Sequence, residues 1–446
     1  MDSARLQNLA DWVEYIQQQH WRTIEMKLDR ITRVWRTLNG KKPETVVTVA
    51  GTNGKGSSVA MIESIYFTAG YATGSYTSPH LVRFNERFRI NGREATDAEI
   101  IVALQTIETA RGEIPLTYFE FSTLCALVLF QRQQIEVAVL EVGMGGRLDA
   151  VNMIDNDIAL ITSIGVDHQQ WLGSDPVEIA REKAGVIKPN TVVVVAQDSA
   201  PKSIEEVAET QRAEVVRSGS DYYLQRCESR SKTQKMTLSW VGHESVFGAE
   251  WSAINDVAVP LQGDHQSSNL GGVLAVIALM QTRLPVSIQQ LKKGLAKTRL
   301  SGRCQIISES PLEIIDVAHN TDSVRELAEF LSGHPVTGSS RAVAGILEDK
   351  DVDQLFRPLL GEFDEWHFVT LEGERGQTGA QLAEKFEAAT GISTAVSHSS
   401  PVAGYESVRA ICQKGDRMVV FGSFFTVGDI LAHLNQRQSA SKQSAD

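Results

Sequence analysis

Lys55 stands between two glycines in the run Val46–Ser58, VVTVAGTNGKGSS. Gly51, Gly54 and Gly56 let backbone N–H groups approach an anion, and a helix that starts directly after them adds positive potential. The lysine between them reaches the terminal phosphates of a nucleotide. The spacing departs from the usual G-x-x-x-x-G-K-[ST]: Val49 stands five before Gly54, and Gly56 occupies the place of the Ser or Thr. The plain alternative is a glycine-rich turn with a surface lysine. Strand formers before the turn and helical periodicity after it (Val59, Ile62, Tyr66, Ala69) favour a phosphate cradle instead.

Other candidates close apolar runs. Glu141 ends VAVLEV (Val137–Val142), a strand buried on both faces, just before Gly143-Met144-Gly145-Gly146-Arg147. A buried carboxylate needs a partner. Arg147 would make it structural; Mg²⁺, which takes oxygen ligands beside phosphates, would make it functional. The next apolar run, Ile158–Ile164, ends in Gly165-Val166-Asp167-His168. Consecutive strands that deliver polar residues at their C-terminal ends describe the ligand crevice of an open α/β sheet. His168 is therefore a candidate ligand, against the plain reading of a packed or surface histidine. Lys183, on a helix expected over Pro176–Ala184, reads by itself as a solvated lysine. Arg83, Arg87, Arg89 and Arg93 alternate with Phe84, Phe88 and Ile90 up to the turn Asn91-Gly92. That pattern fits a half-exposed strand with solvated arginines, or basic groups that guide a carboxylate-rich substrate.

These residues need elements to hold them. Helices are expected in residues 1–40, over Asp97–Arg111 with Thr96 as cap, around Phe121–Gln133 and over Leu270–Met280, and a strand at Thr191–Ala196. Short β-like runs occur at Met236–Val241 and Val257–Leu261. After Arg299–Arg303 four strand-like runs (Leu312–Val317, Arg341–Ile346, Trp366–Leu371, Met418–Phe421) alternate with helical patterns, which indicates a second, smaller α/β domain. The last ten residues, RQSASKQSAD, read as a disordered tail.

A chain of 446 residues holds two or three domains, and 42% hydrophobic with 22% charged residues is ordinary for a soluble protein. The 43 basic against 55 acidic residues give −12, which argues against a nucleic-acid or anionic-membrane binder. Four scattered cysteines (Cys125, Cys227, Cys304, Cys412) without a C-x-x-C suggest reduced thiols in the cytoplasm. There is no signal-peptide pattern and no 18-residue apolar run.

Together the motifs resemble the dihydrofolate synthase/folylpolyglutamate synthase family of the Mur ligase superfamily. They are AGTNGKGS (Ala50–Ser57), SPHL (Ser78–Leu81), TYFEFST (Thr117–Thr123), LEVGMGGRLDA (Leu140–Ala150), SIGVDH (Ser163–His168), REKAGVIK (Arg181–Lys188), SGR (Ser301–Arg303) and DVAHN (Asp316–Asn320). They run in family order over nearly the whole chain. Departures are TIEMKLDR at Thr23–Arg30, Thr321 in place of Pro, and Phe425 in place of His.

The resemblance implies a P-loop-containing Mur-ligase-type domain binding ATP and folate over residues 1–298, and a Rossmann-like glutamate-ligase domain over residues 299–436. It implies an ATP-dependent ligase: a carboxylate of dihydropteroate or a reduced folate is phosphorylated, and the amine of L-glutamate attacks the acyl phosphate. Thr52, Asn53, Gly54, Lys55, Gly56 and Ser57, with Asn269, Arg303 and Asp316, would contact ATP. Ser78, Glu141 and His168 would bind Mg²⁺, and Lys183 would be carbamylated. Glu25, Met26 and Lys27, then Thr117, Tyr118, Phe119 and Glu120, and Leu148, Asp149 and Ala150 would face the pterin substrate. A cytoplasmic monomer is expected. Two other readings stand beside it, a cell-wall Mur ligase and a nucleotide-dependent switch without ligase activity. Only 45 residues precede Val46, too few for the extra domain of the first, and the second leaves Glu141 and His168 without a task.

Overall fold

A computed structural model describes residues 6–20, 25–226 and 236–443. The chain divides into two compact units. The first comprises Met1–His80, Phe84–Pro260 and Gln266–Arg299, and the second Leu81–Arg83, Leu261–His265 and Leu300–Asp446.

Eight strands of the first unit form one sheet: β1 (Thr45–Ala50), β2 (Thr73–Tyr76), β3 (Phe88–Ile90), β4 (Arg93–Glu94), β5 (Val137–Glu141), β6 (Ile158–Ile161), β7 (Val192–Val195) and β8 (Glu214–Arg217). Their order is β4-β3-β2-β5-β1-β6-β7-β8. The strands from β2 to β8 along that order are parallel, and β3 and β4 are antiparallel at the edge. Helices cover both faces, so β1 and β5 are buried along their whole length and read as continuous apolar runs. Neither spatial neighbour of β1 is its neighbour in sequence. The sheet therefore reverses its winding at β5-β1-β6, and a crevice opens at the C-terminal ends of those three strands.

A second, antiparallel sheet of this unit has the order β11-β10-β9, with β9 at Tyr222–Arg226, β10 at Thr237–Gly242 and β11 at Ala253–Ala258. The helix Gln266–Leu279 is buried at every position from Asn269 to Ala278, so its apolar residues fall on every side there. A Cβ on Gly272 would lie 2.8 Å from Leu160 and from Ala196 on the main sheet, and Trp240 Nε1 of β10 donates to Gly271 O at 3.2 Å. Sequence patterning misses β8 and β9, whose residues are largely half-buried or exposed, and misplaces β11 by several residues.

The arginine-rich run is not one strand. Phe84–Arg87 is a 3₁₀ turn, pinned where Asn85 Nδ2 donates to Ala95 O (2.9 Å) and Asp97 Oδ1 (2.8 Å), and pairing begins only at Phe88. Nor are its arginines simply solvated. Arg89 pairs with the buried carboxylate of Glu63 at 2.9 Å, and Arg93 with Glu99 at 2.7 Å.

In the second unit β12 (Gln305–Glu309), β13 (Leu312–Ile315), β14 (Ser340–Ala344), β15 (Glu365–Val369), β16 (Val396–His398) and β17 (Arg417–Phe421) take the order β12-β13-β17-β14-β15-β16. All pairings are parallel except β12 with β13. One face packs Ile314, Leu327, Phe356, Phe368, Phe386 and Phe421, and the other Val343, Val369, Tyr405, Val408, Val420 and Ile430. The four inner strands are the four that patterning finds; the two edge strands, partly exposed, escape it. The expected disordered tail is corrected over residues 437–443, which continue the helix Phe424–Gln443. Extending an existing helix fixes one residue per hydrogen bond, and Gln, Arg, Ala and Lys do so at little cost. Residues 444–446 lie outside the described residues.

Candidate functional site

β1 leads into the glycine turn, and the helix Lys55–Ala69 begins at Gly54, which has φ +83 and no side-chain cap. A Cβ on Gly54 would stand 2.1 Å from Asn269 Oδ1, and one on Gly51 1.9 Å from Thr162 Oγ1, so both positions need glycine sterically. The turn is fastened to the segment after β6. Thr52 N donates to Ser163 O (2.7 Å), Thr162 Oγ1 to Asn53 O (2.6 Å), and Ser163 Oγ accepts from Asn53 N at 2.9 Å. Thr52 Oγ1 donates to Gly165 O at 3.0 Å and accepts from Gly165 N at 2.9 Å. Two motifs read separately in the sequence are thus one hydrogen-bonded construction. Lys55 Nζ lies back over the turn, donating to Gly51 O and Thr52 O at 3.0 Å each.

Glu141, 5% exposed at the end of β5, accepts the Ser78 amide at Oε2 (3.0 Å), so these two candidate metal residues meet. The Glu141 carboxylate also faces the first turn of the glycine-loop helix: a Cβ on Gly56 would stand 3.7 Å from Oε2. Arg147, the structural alternative, pairs instead with Glu182 at 3.0 Å. His168 is exposed, with φ +52, at the start of the short helix Gln169–Leu172, and its amide donates to Asp167 Oδ1 at 2.7 Å.

Lys183 is not solvated. It is 4% exposed, and Nζ donates to Gly51 O at 2.8 Å. Burial, with the nearby Lys55 cation, lowers its pKa to about 7, against the pull of Asp167, Asp149 and Glu182.

Asp149 holds the Gly143–Arg147 loop: Oδ2 accepts from Gly143 N (3.1 Å) and Met144 N (3.0 Å), and Oδ1 from Val151 N (2.9 Å). Burial raises its carboxyl to about 6 despite those donors. Thr117 and Glu120 form a capping box at the start of the helix Tyr118–Arg132, with Glu120 Oε2 accepting from Thr117 N at 2.8 Å. Glu120 also pairs with Arg30 at 3.2 Å, and Arg30 joins Glu25, which is held at about 2, first of all by Lys27. Of these candidates Thr117, Glu120 and Asp149 therefore position backbone. Met26, Tyr118 and Phe119 present apolar surface: a Cβ on Gly143 would lie 2.6 Å from the Phe119 ring, and one on Gly145 3.4 Å from Met26 Cε. Leu148 is half-buried and Ala150 is buried.

Asn269 sits against Gly54, and its Nδ2 donates to Gln266 Oε1 at 3.1 Å; Gln266 Nε2 in turn donates to Ser57 Oγ at 3.2 Å. Gln266, 1% exposed, is a positioning residue that sequence reading misses, since its only signal is a polar residue opening an apolar helix. In the second unit, Asp316 accepts from Cys304 N and Ala318 N at 2.6 Å each. Burial pushes its carboxyl up, against the neighbouring Arg303 cation. Arg303 lies 5.4 Å over the Phe424 ring and donates to Gly302 O at 3.2 Å.

The cradle, with a carboxylate beside its first helical turn, suits a nucleotide phosphate and a hard divalent cation. No three His, Cys, Asp or Glu side chains converge as metal ligands among the described residues. A cation there would draw on few protein donors, with phosphate and water oxygens completing its shell, as Mg²⁺ prefers. No described helix is long and apolar enough to cross a membrane.

Residues 49–279 match the Mur ligase middle domain, and residues 302–424 the Mur ligase glutamate ligase domain. The chain is 37% identical to the dihydrofolate synthase/folylpolyglutamate synthase of Escherichia coli K12, over 97% of both chains. The structure of E. coli FolC in complex with DHPP and ADP superposes with a TM-score of 0.87 at 36% identity, covering 97% of this chain and 99% of that one. A bifunctional folylpolyglutamate synthase/dihydrofolate synthase with Mn, AMPPNP and L-glutamate bound gives 0.85 at 37% identity, covering 96% and 98%.

Proposed function

The chain belongs to the dihydrofolate synthase/folylpolyglutamate synthase family of Mur ligases, and from that membership we propose which of its residues carry the reaction. The protein is an ATP-dependent ligase that uses a divalent cation. ATP phosphorylates a carboxylate of dihydropteroate or of a folate, releasing ADP. The amine of L-glutamate then attacks the acyl carbon, forms the amide and expels phosphate. A carboxylate oxygen is a poor leaving group and phosphate a good one, so the protein's work is mainly positioning and charge neutralisation.

The observation that carries the assignment is the meeting of Lys55, Glu141 and Lys183 around the Gly51–Gly56 turn. Thr52–Ser57 present backbone N–H groups to the phosphates, and Lys55 exchanges its loop carbonyls for phosphate oxygens. Asn269 contacts the nucleotide from beside Gly54. Ser78, Glu141 and His168 would hold Mg²⁺, which would neutralise charge on the transferring phosphoryl group. Lys183 would be carbamylated, which turns a cation into an anion able to help hold the metal. Met26, Tyr118, Phe119 and Leu148 contact the pterin substrate, with Glu25, Lys27, Thr117, Glu120, Asp149 and Ala150 framing them. ATP and folate binding fall to residues 1–298, and the glutamate-ligase role to residues 299–436. The enzyme acts as a cytoplasmic monomer and binds neither nucleic acid nor membrane.

Incubation with ATP, L-glutamate and either dihydropteroate or tetrahydrofolate, followed by product analysis, tests this directly. Dihydrofolate from the first and an added glutamyl residue on the second, each with one ADP, are expected. ATP hydrolysis without amide formation would overturn the ligase reading.

A further inference from the structure

Among the described residues no carboxylate pairs with Arg87, which is 6% exposed. Four arginines among the described residues are less than a tenth exposed: Arg87 (6%), Arg111 (9%), Arg341 (8%) and Arg417 (4%). Three of them hold carboxylates: Arg111 pairs with Glu108 at 2.7 Å, Arg341 with Asp416 at 2.9 Å, and Arg417 with Glu362 at 3.1 Å. Arg87 instead donates from Nε to His80 Nδ1 at 2.9 Å, and its guanidinium lies over the rings of Tyr118 (5.2 Å) and Phe84 (5.8 Å). Because Nε–H is the donor, Nδ1 carries no proton and the imidazole is neutral, so His80 orients the guanidinium without compensating its charge. The aromatic faces offset part of the desolvation. No hydrogen bond to either terminal amino nitrogen exists among the described residues, and neither nitrogen is sealed from solvent. With no carboxylate on it and its terminal nitrogens open to solvent, the oriented guanidinium leaves two parallel N–H donors for a carboxylate to complete.

The place is informative too. Arg87 O accepts from Thr77 N at 3.0 Å, one residue before Ser78, and the ring under the guanidinium is that of Tyr118. Arg87 thus lies between the segment assigned to the metal and the turn assigned to the pterin substrate. We propose that Arg87 binds a carboxylate of the acceptor substrate. This rests on the ligase reading above. The shared chemistry is a carboxylate, and its source is either the one that reacts, which dihydropteroate also has, or the non-reacting one on the glutamyl tail of a folate.

The test compares wild type with Arg87→Gln and Arg87→Lys in equilibrium binding and steady-state kinetics. The ligands are dihydropteroate, tetrahydrofolate and an anilinomethyl-pterin that lacks the carboxylate. Arg87→Gln should weaken binding of a carboxylate ligand by about 10- to 100-fold, the range of a hydrogen bond to a charged group, and leave binding of the carboxylate-free analogue within about twofold. KM for ATP should stay unchanged, and Arg87→Lys should recover part of the loss. A loss on tetrahydrofolate alone assigns the tail carboxylate; a loss on both acids assigns the reacting one. Equal weakening of all three ligands would make Arg87 structural and overturn the proposal, as would unchanged binding of both acids. Wild-type protein that bound neither acid would overturn the ligase reading itself.

Discussion

Lys55 and Lys183 donate to the same oxygen, the carbonyl of Gly51, at 3.0 and 2.8 Å. One lysine comes from the glycine turn and the other from the helix Pro176–Ala184, more than a hundred residues later. Burial, joined by the repulsion of the Lys55 cation, lowers the Lys183 amine to about 7. Neutral amine is the form that reacts with CO₂, so this burial favours the carbamylation proposed for Lys183.

Lys183→Ala should therefore be almost inactive, and short carboxylic acids in the assay should restore part of the rate by replacing the carbamate. In ¹³C-bicarbonate the wild-type, magnesium-loaded enzyme should show a carbamate resonance that the variant lacks. At constant dissolved CO₂, reactivation of CO₂-depleted enzyme should speed up as the pH rises through 7, because the neutral amine fraction grows. A fully active enzyme without that resonance would defeat the idea.

The same lysine makes a stability prediction for the ligand-free protein in CO₂-free buffer. Its folded pKa, about 7, lies below the ordinary 10.5, so between those values the unfolded chain binds more protons and stability rises with pH. The urea midpoint of wild type should climb from pH 7 to pH 9 relative to that of Lys183→Met. Parallel pH profiles for the two proteins would show that Lys183 is not desolvated.

Removing the charge from Glu141 or the amine from Lys55 should leave the fold and take the chemistry. Glu141→Gln keeps the acceptor for the Ser78 amide, so its melting temperature should stay near wild type while kcat falls nearly to background. Lys55→Ala should lose on the order of a hundredfold or more in ATP-dependent turnover, the scale for one charge-stabilising group at a transferring centre. Normal turnover in either variant removes that residue from the mechanism.

Gly54→Ala tests the backbone of the cradle. Its φ of +83 and the 2.1 Å approach to Asn269 Oδ1 leave an added methyl group no room. The substitution should cost about 1–3 kcal/mol of stability, the scale of strain at such a position, and should abolish nucleotide binding measured by calorimetry. Unchanged ADP affinity would show that the turn does not cradle phosphate.

The local pattern alone determined the strand-turn-helix at Lys55, the buried strands β5 and β6 with their polar ends, and the four inner strands of the second unit. Each is a property of a few consecutive residues: β-branched runs, glycines, and caps such as Thr96 with Glu99. Motif order determined the family. Only the tertiary structure decided what the long side chains do, because their partners are far away in sequence. Lys183 reads as a solvated lysine until the Gly51 carbonyl is placed against it, and the backbone donors that hold Glu120 and Asp149 appear only in the fold. Arg87 belongs to an alternation that looks exposed, and the turn Phe84–Arg87 folds it inward onto His80 and Tyr118. Periodicity reports which face of an element is apolar; it carries no information about which distant polar atom completes a buried charge, and that is where the function of this site lies.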